Sequence, residues 1–459
     1  MYSPLPDMKF KRLYFLGIGG IGMSAIARYF KAKGFEIYGY DRTVTALTKI
    51  LEKEGMVIHY EENVENIPSN IDFVVYTPAV PAANVELEFF RNSDVLLYKR
   101  AQVLGMLSQT YRTIACAGTH GKTTISTMVS HIMHNSAVGC QAFLGGIARN
   151  YETNVLISDT SDFMVAEADE FDRSFLQLFP YVAIITSVDA DHLDIYQNKE
   201  FFKEGFERFT ENIKDDGYLI IKKGIQLKGI HTARYQTYTY ALDENADFYA
   251  NNLRVVNGLY HFDFYHPAGD IKDIVLGIPG LYNVENAVAA IASALICGVK
   301  ENEIKDALQS FRGVKRRFEI RYNHNGKVYI DDYAHHPEEL KAAIQSARAM
   351  FPGKKLTGIF QPHLYTRTRD FADDFAESLS KLDEVILLPI YPARELPIEG
   401  VNSEMLLRKI TQENKSLVEK QNVVEVLKNK EIEILLTMGA GDIDTVVNAI
   451  EAFFDKKYK

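Results

Sequence analysis

Only three cysteines occur in the chain, Cys116, Cys140 and Cys297, and no two of them stand in C-x-x-C spacing. That scarcity argues against both a zinc site and a disulfide framework and fits a reducing, cytoplasmic setting. Positive charge is also in short supply. Lys and Arg number 51 against 61 Asp and Glu, a formal net charge of −10, which disfavours a nucleic-acid partner because phosphate backbones select basic faces. Local gatherings of Lys and Arg still leave anionic small substrates open. No apolar run approaches the roughly 20 residues that a bilayer span needs, so no membrane insertion is expected. Leu13 to Ala27, after Lys11-Arg12, has the outline of a signal peptide but contains four glycines and a serine. Without a small-residue cleavage site behind it, this stretch reads as a buried strand and its turn. Short-period repeats and low-complexity segments are absent too.

What is there is an ordinary globular composition, 47% hydrophobic and 24% charged over 459 residues. At about 150 residues per domain this length suggests three domains. Arg12 to Leu16 reads as a strand, Met23 to Lys33 as a helix and Phe35 to Tyr40 as a second strand, a βαβ unit continued through Phe73 to Tyr76. Residues 1–107 are therefore expected to form a Rossmann-like domain. Residues 108–314 are expected to form a central mixed sheet of the P-loop ATPase type. Short alternating segments between Tyr218 and Ile278, such as Tyr235 to Tyr240, add a small antiparallel sheet to it. Residues 315–459 again alternate strands (Val328 to Ile330, Leu356 to Phe360, Glu384 to Pro389, Ile432 to Met438) with helices, a second Rossmann-like domain.

Two glycine loops stand out. Gly17-Ile18-Gly19-Gly20-Ile21-Gly22 follows the first strand, and Asp41 comes 19 residues after Gly22. The pattern suits a dinucleotide with an acid on its ribose, and equally a nucleotide-sugar diphosphate, since the glycines permit backbone approach to any diphosphate at a helix N-terminus. The second loop, Ala117-Gly118-Thr119-His120-Gly121-Lys122-Thr123-Thr124, lies between the apolar Thr113 to Ala117 and a helical Ser126 to Met133. It is an abbreviated phosphate-binding loop, with Cys116 at the first glycine position of the strict pattern. Lys122 there reaches terminal phosphates, and Thr123 or Thr124 holds Mg²⁺.

Acidic clusters follow two further strands, Glu167-Ala168-Asp169-Glu170 and Asp189-Ala190-Asp191-His192. In a parallel sheet both emerge at the carboxyl edge beside the phosphate loop, where carboxylates bind Mg²⁺ and an imidazole completes a second metal's sphere. In the third unit Asp331 to Pro337 and Gln361 to Arg369 also fall at strand ends, and arginine suits bidentate capture of a carboxylate.

Together these motifs, with Arg316-Arg317-Phe318, Asp331-Asp332-Tyr333 and Tyr365 to Asp370, resemble the Mur ligases along all three units. The resemblance implies an ATP- and Mg²⁺-dependent amide-bond ligase of peptidoglycan precursor synthesis, nearest the branch that joins L-alanine to the carboxylate of UDP-N-acetylmuramate through an acyl phosphate. The rival readings are a sister ligase adding a recycled tripeptide and, more remotely, an NAD-dependent oxidoreductase. By the resemblance, Gly17, Gly19, Gly20 and Gly22 cradle the UDP-sugar diphosphate, with Asp41 near the uridine and Thr77, Pro78, Ala79 and Arg100 on the sugar side. Gly118, Thr119, His120, Gly121, Lys122, Thr123 and Thr124 bind ATP. Asn283 and Asn286 meet adenine, Arg317 the phosphates and Asp332 the ATP ribose. Lys122, Glu167, His192 and His335 are the catalytic group, with Thr123, Thr124, Glu167 and His192 on metal. Tyr333, His335, His363 and Arg367 take the amino acid.

Three departures from the family pattern accompany the match. Leu364 stands where a basic residue is expected after His363, Tyr282 replaces a histidine before Asn283, and Phe206 falls near the position of a carbamylated lysine. The oligomeric state, monomer or dimer, is left open.

Overall fold

The computed structural model describes residues 11–189, 199–230, 233–256, 258–393 and 395–459. Three sheets organise them. The first contains β1 (Arg12–Leu16), β2 (Glu36–Tyr40), β3 (Val57–His59), β4 (Phe73–Tyr76) and β5 (Leu96–Lys99), in the order β3-β2-β1-β4-β5. Every pairing in it is parallel. β1 and β4 are covered on both faces and are accordingly near-continuous apolar runs. The strand order reverses between them, so the loops after β1 and β4 diverge around a crevice at the carboxyl edge.

The second sheet has ten strands, in the order β15-β14-β13-β12-β11-β10-β6-β9-β7-β8. They are β6 (Arg112–Ala117), β7 (Gln141–Ala148), β8 (Thr153–Leu156), β9 (Phe163–Glu167), β10 (Pro180–Ile185), β11 (Tyr218–Lys222), β12 (Gln236–Ala241), β13 (Phe248–Val256), β14 (Leu259–His266) and β15 (Gly269–Val275). The antiparallel strands expected between Tyr218 and Ile278 are β13 to β15. They extend the same sheet edge-on, and β12, which carries the Tyr-Thr alternation, pairs in parallel with both neighbours.

The third sheet is β16 (Glu319–His324), β17 (Lys327–Asp332), β18 (Leu356–Phe360), β19 (Glu384–Leu387), β20 (Lys415–Leu417) and β21 (Ile434–Met438), in the order β16-β17-β21-β18-β19-β20. Only β16 runs antiparallel to its neighbour.

Two compact units result. Residues up to Ile278 together with Asn283–Gly313 form one, and Pro279–Tyr282 with Val314–Lys459 form the other. The first two sheets share a unit because a single apolar cluster runs through both. Leu13, Ala27 and Phe30 belong to it together with Phe143, Val155 and Met164, and the Tyr29 and Phe143 rings lie 5.3 Å apart. A buried polar knot reinforces that seam. Asn154 Nδ2 donates to Ile21 O and to Ser24 Oγ, Arg28 Nη1 donates to Asn154 Oδ1 at 2.6 Å, and Arg28 pairs with both oxygens of Glu54. No helix among the described residues is long and apolar enough to cross a membrane.

Candidate active site

The first glycine loop leaves β1 and enters the helix Ile21–Ala32. Asp41, at the end of β2, accepts the Gly19 N–H at 2.8 Å and the Thr43 N–H at 3.1 Å, so its carboxylate braces the loop. Thr77, past β4, comes against Gly17: a Cβ there would lie 2.7 Å from Thr77 Cγ2. Pro78 and Ala79 follow it on the surface. Arg100 opens the helix Arg100–Thr110, and its guanidinium occupies the space beside Gly22. The structure thus gathers Gly17, Gly19, Gly20, Gly22, Asp41, Thr77 and Arg100 around one crevice.

The second loop joins β6 to the helix Lys122–His134, whose N-cap Gly121 adopts φ 82°, a left-handed conformation that glycine takes without a Cβ clash. β6 lies between β10 and β9, so the acidic stretch after β9 and Thr186 to Asp189 after β10 flank the loop. In the latter segment Thr186 and Ser187 form a buttress that motif reading did not single out, beside the Asp189 that it did. Ser187 Oγ accepts the His120 N–H at 2.9 Å, Thr119 Oγ1 donates to Asp189 O at 2.7 Å, and Thr186 donates to His120 O. Thr186 and Ser187 carry no recognisable spacing; only the adjacency of β6 and β10 reveals them.

Lys122 is largely enclosed in this frame, its side chain 13% exposed. Its ammonium donates to Gly118 O at 2.6 Å and to Glu170 Oε1 at 2.8 Å. Burial pulls its pKa down, but the charges of Glu170, Glu167 and Asp169 outweigh that and hold it above the usual lysine value. Burial pushes Glu170 up to about 7 despite the opposing pull of Lys122. Thr123 and Thr124 are both buried in the first turn of the helix. Asn286 approaches the loop, its Oδ1 3.0 Å from where a Gly121 Cβ would stand, and it donates to Asn283 Oδ1 at 3.2 Å.

A divalent cation fits one feature of this edge. Glu167 Oε2 is buried and has no hydrogen-bond partner among the described residues, and it passes over Gly145 of β7, where a Cβ would lie 2.1 Å away. An unpaired carboxylate oxygen of this kind, with threonine hydroxyls on the neighbouring helix turn, is the donor set Mg²⁺ takes when phosphates and water supply the rest. No group of three His, Cys, Asp or Glu side chains forms a metal site among the described residues. Asp191 and His192 lie outside them. Phe206, at the position considered for a carbamylated lysine, is fully buried, with its ring 5.2 Å from Phe175 and 5.3 Å from Phe202. An aromatic core occupies that place.

In the other unit the loops after β17, β21 and β18 emerge side by side. Asp332 is buried, and its two oxygens accept the Phe318 N–H at 2.6 Å and the Ala334 N–H at 2.7 Å. It thereby ties the Arg316-Arg317-Phe318 turn to the Tyr333-Ala334-His335 turn. Burial raises it to about 6, against the pull of Arg317. Arg316 and Arg317 both lie over the Tyr333 ring, at 5.3 and 5.0 Å from its centroid. His335 Nδ1 is 3.2 Å from Glu339 Oε2, and the His335 ring meets Tyr333 at 5.3 Å and His363 at 6.0 Å. His363 stacks on Tyr391 at 5.7 Å, a partner that sequence patterns did not indicate. Arg367 is buried at 7% exposure. Leu364 adopts φ 69° at the head of the helix Tyr365–Asp370, and its N–H donates to Tyr391 O at 3.0 Å. Tyr282 sits against Phe318, 6.5 Å between rings. Tyr333, His335 and His363 are thus brought together.

A mixed sheet whose β6, paired in parallel on both sides, runs through a glycine loop into a helix headed by a largely enclosed lysine defines a P-loop nucleotide-binding α/β protein. Three family models match along the chain: "Mur ligase family, catalytic domain" over residues 12–112, "Mur ligase middle domain" over 116–294 and "Mur ligase, glutamate ligase domain" over 316–447. The chain belongs to the Mur ligase family. Among its relatives, the UDP-N-acetylmuramate–L-alanine ligase of Phocaeicola vulgatus is 51% identical over 97% of this chain and 99% of its own length. That of Porphyromonas gingivalis is 48% identical over 96% and 99%. The crystal structure of UDP-N-acetylmuramate-alanine ligase from Thermotoga maritima superposes with a TM-score of 0.82 at 27% identity, covering 97% of this chain and all of that one.

Proposed function

We propose that this chain joins L-alanine to the carboxylate of UDP-N-acetylmuramate with hydrolysis of ATP to ADP and phosphate, in peptidoglycan precursor synthesis. The observation that carries this reading is the 51% identity to an L-alanine ligase over 97% of this chain and 99% of that one. A carboxylate is a poor electrophile, because attack adds charge to an anion whose leaving group would be oxide. Phosphorylation makes it an acyl phosphate, which the amine attacks with loss of phosphate.

The residues divide this work. The first glycine loop, braced by Asp41, holds the diphosphate against backbone N–H groups at a helix N-terminus, with Thr77, Pro78, Ala79 and Arg100 toward the sugar. Lys122 exchanges Glu170 for the terminal phosphates of ATP and neutralises charge spreading onto them. Gly118 to Thr124 wrap the phosphates, and Asn283 and Asn286 take adenine. Glu167, Thr123, Thr124 and His192 would hold Mg²⁺, which supplies further neutralisation of phosphate charge. Arg317 and Asp332 address the nucleotide, Asp332 through the lone pairs left by its two backbone bonds. Tyr333, His335, His363 and Arg367 receive L-alanine, His335 nearest the incoming amine. The ranges 1–107, 108–314 and 315–459 serve as the UDP-sugar, ATP and amino-acid domains.

Phosphate release, followed while each component is omitted in turn, tests the reading. Release is expected only with ATP, Mg²⁺, UDP-N-acetylmuramate and L-alanine all present. Equal release without an amino acid, or preference for a tripeptide over L-alanine, refutes it.

A further inference from the structure

The two glycine loops are connected by a chain of charges that no motif describes. Arg100 is the first residue of the helix Arg100–Thr110, a helix with no acidic residue in its first turn. A cation there opposes the helix dipole, so the helix itself gains nothing from it. The guanidinium reaches the first glycine loop instead: a Cβ on Gly22 would stand 2.6 Å from Arg100 Nη1, so any larger residue there would displace the guanidinium from its present place.

On its other side Arg100 Nη2 lies 3.5 Å from Asp169 Oδ2, and the pair is partly shielded, at 22% and 38% side-chain exposure. Asp169 is itself held still, because its Oδ1 accepts the Phe171 N–H at 3.1 Å and its carbonyl accepts the Phe175 N–H at 2.9 Å. Its neighbour Glu170 receives the Lys122 ammonium at 2.8 Å. An exposed pair, Lys99 with Asp172 at 3.3 Å, runs alongside. All these groups belong to one compact unit.

We infer that Asp169 is a positioning residue for the UDP-sugar: it holds the Arg100 guanidinium over the first glycine loop, where the diphosphate or the attached sugar is to be met. Without this counter-charge a five-donor guanidinium on a flexible stem samples many rotamers, and binding must then fix it. With it, one side of the fork is anchored and the other faces Gly22. The inference rests on the reading of the first glycine loop as the UDP-sugar site.

The test combines calorimetric binding of UDP-N-acetylmuramate with the KM for ATP in the full chain, for Asp169→Asn, Asp169→Glu, Arg100→Met and the double variant. Asp169→Asn is expected to weaken UDP-N-acetylmuramate about fivefold, the upper range for a partly exposed pair, while the KM for ATP moves less than about twofold. Asp169→Glu restores most of the loss. In the Arg100→Met background Asp169→Asn adds nothing, because its effect passes through Arg100. Wild-type affinity in Asp169→Asn, additive losses in the double variant, or an effect falling on ATP overturns the positioning role alone. Absence of UDP-N-acetylmuramate binding by the unaltered chain overturns the reading of the glycine loop itself, and the positioning role with it.

Discussion

Lys122 keeps its charge where burial opposes it. Glu170 supplies the largest opposing pull, with Glu167 and Asp169 behind it, so the acidic stretch at the end of β9 has a task independent of metal: it keeps a protonated lysine at the head of the second glycine loop. In Glu170→Gln the strongest upward influence on Lys122 disappears while the burial remains. Its ammonium then loses its proton at lower pH than in the unaltered chain, and the alkaline limb of ATP affinity, measured by calorimetry across pH, shifts downward. An unmoved limb would show that Glu170 is not the operative counter-ion. Asp332 is the corresponding device in the other unit, a buried carboxylate spent on two backbone N–H groups. At the end of β17, it thereby ties down the two turns that present Arg317 and His335.

Single strands and turns decide whether those side chains find room. β7 contributes no charge to the site, yet Gly145 in it leaves the channel through which the Glu167 carboxylate passes. Gly145→Ala would set a methyl 2.1 Å from Glu167 Oε2, a distance no real contact sustains, so the carboxylate must swing away. The expected result is a loss of Mg²⁺ affinity on the order of tenfold, with only a modest change in thermal midpoint, since ligand displacement is the main consequence. Retention of full Mg²⁺ affinity would contradict the placement of Glu167 on metal. The segment Thr186 to Asp189 works similarly for the phosphate loop, whose backbone it fixes through Ser187 and Thr186. Leu364, in a left-handed conformation and bonded through its N–H to Tyr391, shows that the position after His363 is used here for turn geometry.

Across the whole molecule the buried carboxylates set an unusual pH balance. Glu170, Asp331 and Asp332 all have folded values raised by burial. Folding therefore binds protons, and the stability they contribute is greatest when protonated and falls as pH rises from their ordinary values through about 6 and about 7. Asp383, Glu384 and Asp442 are lowered by basic partners, Asp383 chiefly by Arg348 and the other two against their burial. Their contribution is present above the ordinary carboxylate range and is lost as pH falls below it through their lowered folded values. Buried His131, lowered to about 4, works the other way below the ordinary histidine range, but Glu170 and Asp332 together lose more between about pH 5 and about pH 8, so the thermal midpoint is expected to be higher near about pH 5 than near about pH 8. A midpoint rising steadily to about pH 8 would mean that the raised groups ionise without penalty.

The glycine loops, Lys122, the strand-to-helix turns around them and the three-part α/β order were legible in the chain, because each rests on local spacing: apolar runs of strand length, glycines at fixed intervals, an anion-binding helix start. Tyr391 beneath His363, Ser187 beneath the phosphate loop and Asp169 against Arg100 were not. Each acts on a partner tens of residues away, and no periodicity records that distance. The sequence by itself determined which chemistry the chain carries, through residue types that phosphate and carboxylate chemistry demands. Only the tertiary structure decided how those residues are braced, and that Arg100 spans from the first glycine loop to the acids beside the second, because such adjacency arises only when elements far apart in sequence pack against one another.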